Sequence, residues 1–299
     1  MKSRLWLLVL LVAATGSWTS AKDKKVVVLP EYAKMMKIQK EQQRSFTFLP
    51  GGRVYINTAF MGNITIEGWD KPRIRVDATI NAWGNDNDEL IKNVEAIATD
   101  FSKSPTDLNI VTQHPAEFML GSIDYRIMVP RYRTDIKIKS NRGFISVKDV
   151  NGWLEADTET GYISMVNLRG YVSTKTVQGD ILIQLDGTRW EGLSMNANTQ
   201  QGDIKVLMPT EYNTDLTLIS ITGEVVVDYP VFQVNEQDIA LVPVQKKQGM
   251  YLNQRVRDGG HPVTAQTELG TVKLIKYDPN LEVVAPPAPG KNQDTGEPK

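Results

Sequence analysis

The chain has 299 residues, 41% of them hydrophobic and 23% charged, with a formal net charge of −1. That length suffices for one large elongated domain or two compact ones, each with a substantial buried core. A charge so near balance argues against nucleic acid or an anionic membrane as partner, and the absence of cysteine removes disulfides, thiolate chemistry and a lipid-modified cysteine.

Residues 1–21 read as a secretory signal. Lys2 and Arg4 precede an apolar stretch from Leu5 to Ala14, and Thr19 and Ala21 are small residues where a signal peptidase inspects the chain. Cleavage before Lys22 is expected, because an uncleaved anchor needs roughly 20 apolar residues and this run is shorter. The mature protein, with 32 Lys and Arg against 35 Asp and Glu, is then exported to the periplasm or beyond, without a further transmembrane segment. Residues 22–43 read as a linker or a short helix, with Met35, Met36 and Ile38 forming a weak apolar face between Glu31 and Gln43.

From residue 44 to 276 the dominant signal is a repeat, Ser/Thr-x-x-Gly-x-Ile/Val-x-apolar, present seven times with one imperfect copy. Its glycines are Gly62, Gly143, Gly161, Gly179, Gly202, Gly223 and Gly270. Two residues after them come Ile64, Ile145, Ile163, Ile181, Ile204, Val225 and Val272, and four after them the residues are apolar again. Three residues before the glycine stands Ser or Thr, except in the first copy, which has Ala59. The pattern describes a tight turn feeding a strand: the hydroxyl bonds backbone across the turn, glycine takes a positive φ, and the following alternation turns every second residue inward.

Between Asn85 and Lys103 the period changes. Leu90, Ile91, Val94, Ile97, Ala98 and Phe101 recur at helical spacing, with Asp86 or Asp88 as N-cap, which predicts an inserted helix over about 86–103 that covers an open end or flank. Beyond it, Gly143, Gly161 and Gly179 are eighteen residues apart, room for two short strands and two turns. Such a unit cannot bury its apolar face alone, so coils are expected to stack like on like at about 4.8 Å per coil. The expected fold is therefore all-β, a single β-solenoid with one helical insert. The alternative is an antiparallel β-sandwich, which short strands with frequent turns also suit. Residues 231–247, with Pro243, lack the repeat and read as a looped excursion, and the tail from 277 to 299 is rich in Pro, Gly and charge and reads as disordered.

Several of these motifs resemble the bacterial putative-adhesin family: Pro50-Gly51-Gly52, Gly62-x-Ile64-x-Ile66 with Gly68-Trp69-Asp70, the repeated Thr-x-x-Gly-x-Ile units, and the closing Gly259-Gly260-His261-Pro262-Val263. The resemblance spans residues 44–276. It implies a β-solenoid exported to the cell envelope with an adhesive role, and it transfers no catalytic residue.

The chemistry-bearing residues are sparse. His114 and His261 are the two histidines, and neither sits in a cluster with metal-ligand spacing; no nucleophile elbow, phosphate loop or zinc-protease helix appears. Asp180, Asp203 and Glu224 share the position after the glycine in three copies. Two readings stand for them: a ladder bridged by Ca²⁺, or a solvated charge row eased by Lys205. Phe144 with Tyr162, and Trp153 with Tyr171, should stack as aromatic pairs. They either stabilise the sheet or offer a platform for a sugar polymer or protein. The resulting expectation is a non-catalytic envelope protein, no cofactor required, presenting a repetitive β surface for adhesion or protein or glycan binding. The competing readings are a carbohydrate-active β-helix enzyme using Asp180, Asp203 and Lys205, and an envelope-stress scaffold.

Overall fold

The computed structural model describes residues 35–114 and 120–278. The signal segment and the tail beyond Asp278 lie outside the described residues. Those described form a ten-stranded sheet, an eleven-stranded sheet, a small two-stranded sheet and one helix.

The N-terminal part supplies β1 (Met36–Thr47), β2 (Arg53–Met61), β3 (Ile64–Trp69), β4 (Arg73–Gly84), α1 (Asn87–Ala96), β5 (Ala98–Lys103), β6 (Asp107–Gln113) and β7 (Gly121–Pro130). β1 overturns the expected short helix within residues 22–43, and the ordered sheet begins at Met36 rather than at residue 44. Its Gln, Glu and Lys favour helix intrinsically, but that preference is worth only a few tenths of a kcal/mol per residue. An unbroken antiparallel ladder on β4, from Met36–Gly84 to Thr47–Arg73, prevails.

The insert is likewise shorter than its periodicity suggested. Asp86 is the N-cap, accepting from the Glu89 N–H at 2.8 Å, and the Glu89 carboxylate accepts in return from the Asn85 N–H at 2.7 Å. Leu90 and Val94 are buried, and α1 packs beside β1 and β4 at the end of the ten-stranded sheet. The helix stops at Ala96, however, because Ile97 is already extended. Ala98 and Phe101 belong to β5, which pairs antiparallel with β6 and sets Phe101 against Phe46 at 5.5 Å.

The centre alternates strictly between the large sheets. β8 (Asp135–Arg142), β10 (Asn151–Thr160), β12 (Arg169–Gln178) and β14 (Ser194–Gln201) enter the eleven-stranded sheet, while β9 (Ile145–Lys148), β11 (Ile163–Val166), β13 (Ile181–Gln184) and β15 (Ile204–Pro209) enter the ten-stranded one. Each repeat glycine marks the crossing. All these neighbours pair parallel and in register, so Ile145, Ile163, Ile181 and Ile204 form one row. On the opposite wall Ile136, Leu154, Val172 and Met195 form another. Both rows belong to one core cluster, and no member of either is more than 3% exposed.

The repeat's Ser/Thr meets the expectation in one copy, where the Thr158 hydroxyl donates to the Thr160 carbonyl within its own turn at 3.5 Å, and departs from it in three others. Thr199, Thr267 and Ser220 donate to the carbonyls of Gly179, Gly202 and Gly270 at 2.9, 2.8 and 2.7 Å, so the hydroxyl ties one coil to the adjacent coil instead of closing its own turn. The imperfect first copy is repaired in space: β2 shifts register against β8 between Thr58 and Met61, and Thr58 pairs with Ser140, hydroxyl to hydroxyl at 3.4 Å. One extra residue thus restores the hydroxyl that the sequence pattern lacks.

The C-terminal part comprises β16 (Thr214–Thr222), β17 (Val225–Asp228), β18 (Phe232–Val234), β19 (Gln237–Ile239), β20 (Val244–Lys246), β21 (Gly249–Val256), β22 (Pro262–Leu269) and β23 (Val272–Tyr277). The expected looped excursion contains short hairpin strands, and β21 returns antiparallel along one edge of β16. The chain then re-enters the stack out of order. β22 lies between β14 and β16, and β23 between β15 and β17, all parallel. Parallel central strands with antiparallel additions at both ends make the architecture all-β and mixed.

Candidate binding face

Strand alternation turns every second residue of the eleven-stranded sheet outward, and the in-register pairing aligns those residues into rows across the strands. The first row runs Arg53, Asp135, Trp153, Tyr171, Ser194. The second runs Tyr55, Lys137, Glu155, Ser173, Asn196, Thr264. The third runs Asn57, Lys139, Asp157, Lys175, Asn198, Gln266.

The predicted aromatic pair on this face forms. Trp153 and Tyr171 have ring centroids 4.2 Å apart at 35°, and Trp153 remains 46% exposed. Its backbone N–H donates to Asp135 Oδ1 at 2.9 Å and its indole N–H to Glu155 Oε1 at 3.0 Å, so one bond fixes the main chain at this position and the other fixes the indole. Glu155 also accepts from Lys137 Nζ at 2.6 Å. Those hydrogen bonds, Lys137 first and Trp153 second, hold the Glu155 carboxyl below its ordinary range, and Glu155 raises Lys137 in return. Arg53, Tyr55, Asp135, Lys137, Trp153 and Glu155 line a shallow pocket of about 340 Å³.

The second pair lies elsewhere, at the turn where coils cross between sheets. Phe144 and Tyr162 stack at 5.4 Å and 5°, both half-buried. Burial, with the Asp180 carboxylate adding to it, pushes the Tyr162 phenol up to about 12. The two aromatic pairs therefore do not merge into one platform.

The acidic row is rearranged by the inserted last coil. At the position after the glycine, the order in space is Tyr162, Asp180, Asp203, Thr271, Glu224. Glu224 is thus separated from Asp203 by Thr271, because Glu224 follows Asp203 in the sequence of repeats but not in the stack. Asp180 Oδ1 accepts from the Asp203 N–H and Asp203 Oδ1 from the Thr271 N–H, each at 2.8 Å. Asn63 does the same for the Phe144 N–H at 3.0 Å. These side chains cap the neighbouring coil's turn. Among the described residues no group of three or more His, Asp or Glu is placed to hold a metal ion. His114 stacks on Phe60 at 4.3 Å, and His261 lines a recess with Trp190 and Asp258.

The third row escaped the sequence reading, although its signal is present. Lys139, Asp157, Lys175, Asn198 and Gln266 each stand four residues before a repeat glycine. That column varies in residue type, and only its shared offset marks it.

No family model matches the chain, and no curated protein does. Among solved structures it is similar to a putative cell adhesion protein from Clostridium sporogenes, at 12% identity and a TM-score of 0.42, over 80% of this chain and 100% of that one. It is also similar to a putative adhesin from Bacteroides fragilis, at 14% identity and a TM-score of 0.35, over 79% and 97%. Likenesses this distant transfer no residue and no ligand. No helix among the described residues is long and apolar enough to cross a membrane.

Proposed function

We propose that this is a non-catalytic, exported envelope protein whose stacked coils form a two-walled solenoid and whose eleven-stranded sheet presents its outer face for adhesive binding. Like-on-like parallel pairing supports the solenoid over an antiparallel sandwich. The observation that carries the binding role is the Trp153–Tyr171 pair, an aromatic surface anchored by Asp135 and Glu155 yet left open to solvent. A rigid amphipathic aromatic surface gives contact area at small entropic cost.

Binding of the purified mature chain to intact bacterial cells and to extracted envelope tests this reading. Trp153→Ala with Tyr171→Ala should abolish most of the binding while leaving the fold intact; unchanged binding contradicts the role of this face. The enzymatic reading has less support, because the Asp180 and Asp203 carboxylates are both engaged by backbone N–H groups. Polysaccharide turnover that Asp203→Asn abolishes would restore it.

A further inference from the structure

The third outward row borders a groove of about 600 Å³ that crosses six strands of the eleven-stranded sheet. Asn57, Lys139, Asp157, Lys175, Asn198 and Gln266 form one wall, and Glu159, Gln200 and Glu268 stand on the other. Five strand spacings of about 4.8 Å give it a length of about 24 Å.

The groove's side chains lack the direct pairing that ties up several residues of the neighbouring rows. In the neighbouring rows Lys137, Glu155, Trp153, Asp135 and Asn196 are all engaged in hydrogen bonds or ion pairs. Among the described residues, none of the nine groove side chains named above makes one, even though Lys139, Asp157 and Lys175 alternate in sign.

We infer that this groove binds a neutral, linear oligosaccharide lying across the strands, a ligand class that rests on the adhesive reading of the same face but occupies a track distinct from Trp153 and Tyr171. The amides of Asn57, Asn198, Gln200 and Gln266 both donate and accept, which matches hydroxyl groups that do the same. Lys139, Lys175 and Asp157 add charge-assisted hydrogen bonds. Two lysines against Asp157, Glu159 and Glu268 leave the groove slightly acidic, which disfavours phosphate or a polyanionic chain. An extended peptide fits less well: its side chains on one face recur at about 6.7 Å, out of step with rows spaced by about 4.8 Å.

Calorimetric titration of the mature chain with cellohexaose, chitohexaose and mannohexaose tests the assignment. At least one should bind, and the pair Asp157→Ala with Lys175→Ala should weaken it by about tenfold or more, while Lys92→Ala on the exposed side of α1 leaves it unchanged. Both positions lie on the outer face, so thermal unfolding should be unchanged and serves as the control for folding. If no hexasaccharide binds, or if the groove pair leaves binding intact, the assignment is overturned. Loss on Trp153→Ala alone overturns the groove but supports the aromatic platform. Groove-dependent sugar binding without any binding to cells keeps the groove and defeats the adhesive reading.

Discussion

Gly161 sits against the backbone of Gly143 so closely that a Cβ on Gly161 would lie 1.8 Å from the Gly143 carbonyl oxygen. Its φ of 150° is also one that side chains rarely adopt. The repeat glycine is therefore imposed by the coil below it as much as by its own turn. A continuous column of such contacts links Gly62, Gly143, Gly161, Gly179, Gly202, Gly270 and Gly223.

Gly161→Ala should cost at least about 3 kcal/mol, combining backbone strain with a clash against main chain that cannot rotate away. Gly187→Ala provides the contrast. Gly187 has a φ of 73°, but a Cβ there would meet nothing within 4 Å, so only the conformational cost of about 1–2 kcal/mol applies. Urea unfolding of the two variants measures the difference directly; equal losses would contradict the stacking explanation.

The Lys137–Glu155 pair should stabilise the fold over a defined pH window. Glu155 is held below its ordinary 4.5, chiefly by Lys137, so its contribution is present above that value and is lost as pH falls through the folded-state value. Lys137 is held above its ordinary 10.5, so its contribution is present below that value and is lost as pH rises through the folded-state value. Both side chains are partly exposed, at 43% and 29%, which limits the coupling to about 0.2–1 kcal/mol and makes it salt-sensitive. A double-mutant cycle at neutral pH should give that coupling, and one in acid should give a value near zero.

Asp203→Ala should destabilise the protein by about 1–2 kcal/mol, since it strips the Thr271 N–H of its acceptor. Adding Ca²⁺ to the wild type should leave the unfolding midpoint where it was, because the Asp180, Asp203 and Glu224 carboxylates are not assembled around one point. A Ca²⁺-dependent rise in Tm that Asp203→Ala abolishes would reinstate the ion-bridged ladder.

Much of the parallel stack was legible because its signal is local and repeated. Gly143, Gly161 and Gly179 at a constant interval fix which residues overlie one another, and Ile145, Ile163 and Ile181 follow from that. β1 and β5 were not legible as strands. Their residues favour helix or match its period by accident, and partners distant in the chain, β4 and β6, decide the outcome. The place of the Gly270 coil was hidden for a related reason: nothing local in residues 262–277 states that they fill a gap between segments placed earlier. That one displacement separated Glu224 from Asp203. In the candidate site, Trp153 and Tyr171 were visible as aromatics at matched offsets. The polar row through Asp157 was not, because a column of Asn, Lys, Asp and Gln looks like ordinary surface until its side chains prove unengaged.

Paired cysteines test the stacking order most directly, since the chain has no cysteine of its own. Lys205 and Lys273 are register partners on β15 and β23, while Val226 on β17 lies one strand further. Neighbouring strands at about 4.8 Å fall within disulfide reach, and two spacings, about 9.6 Å, do not. The variant carrying Lys205→Cys and Lys273→Cys should therefore cross-link under mild oxidation in the folded state, and the variant carrying Lys205→Cys and Val226→Cys should not. The reverse pattern would place the coils in chain order and contradict the stack described here.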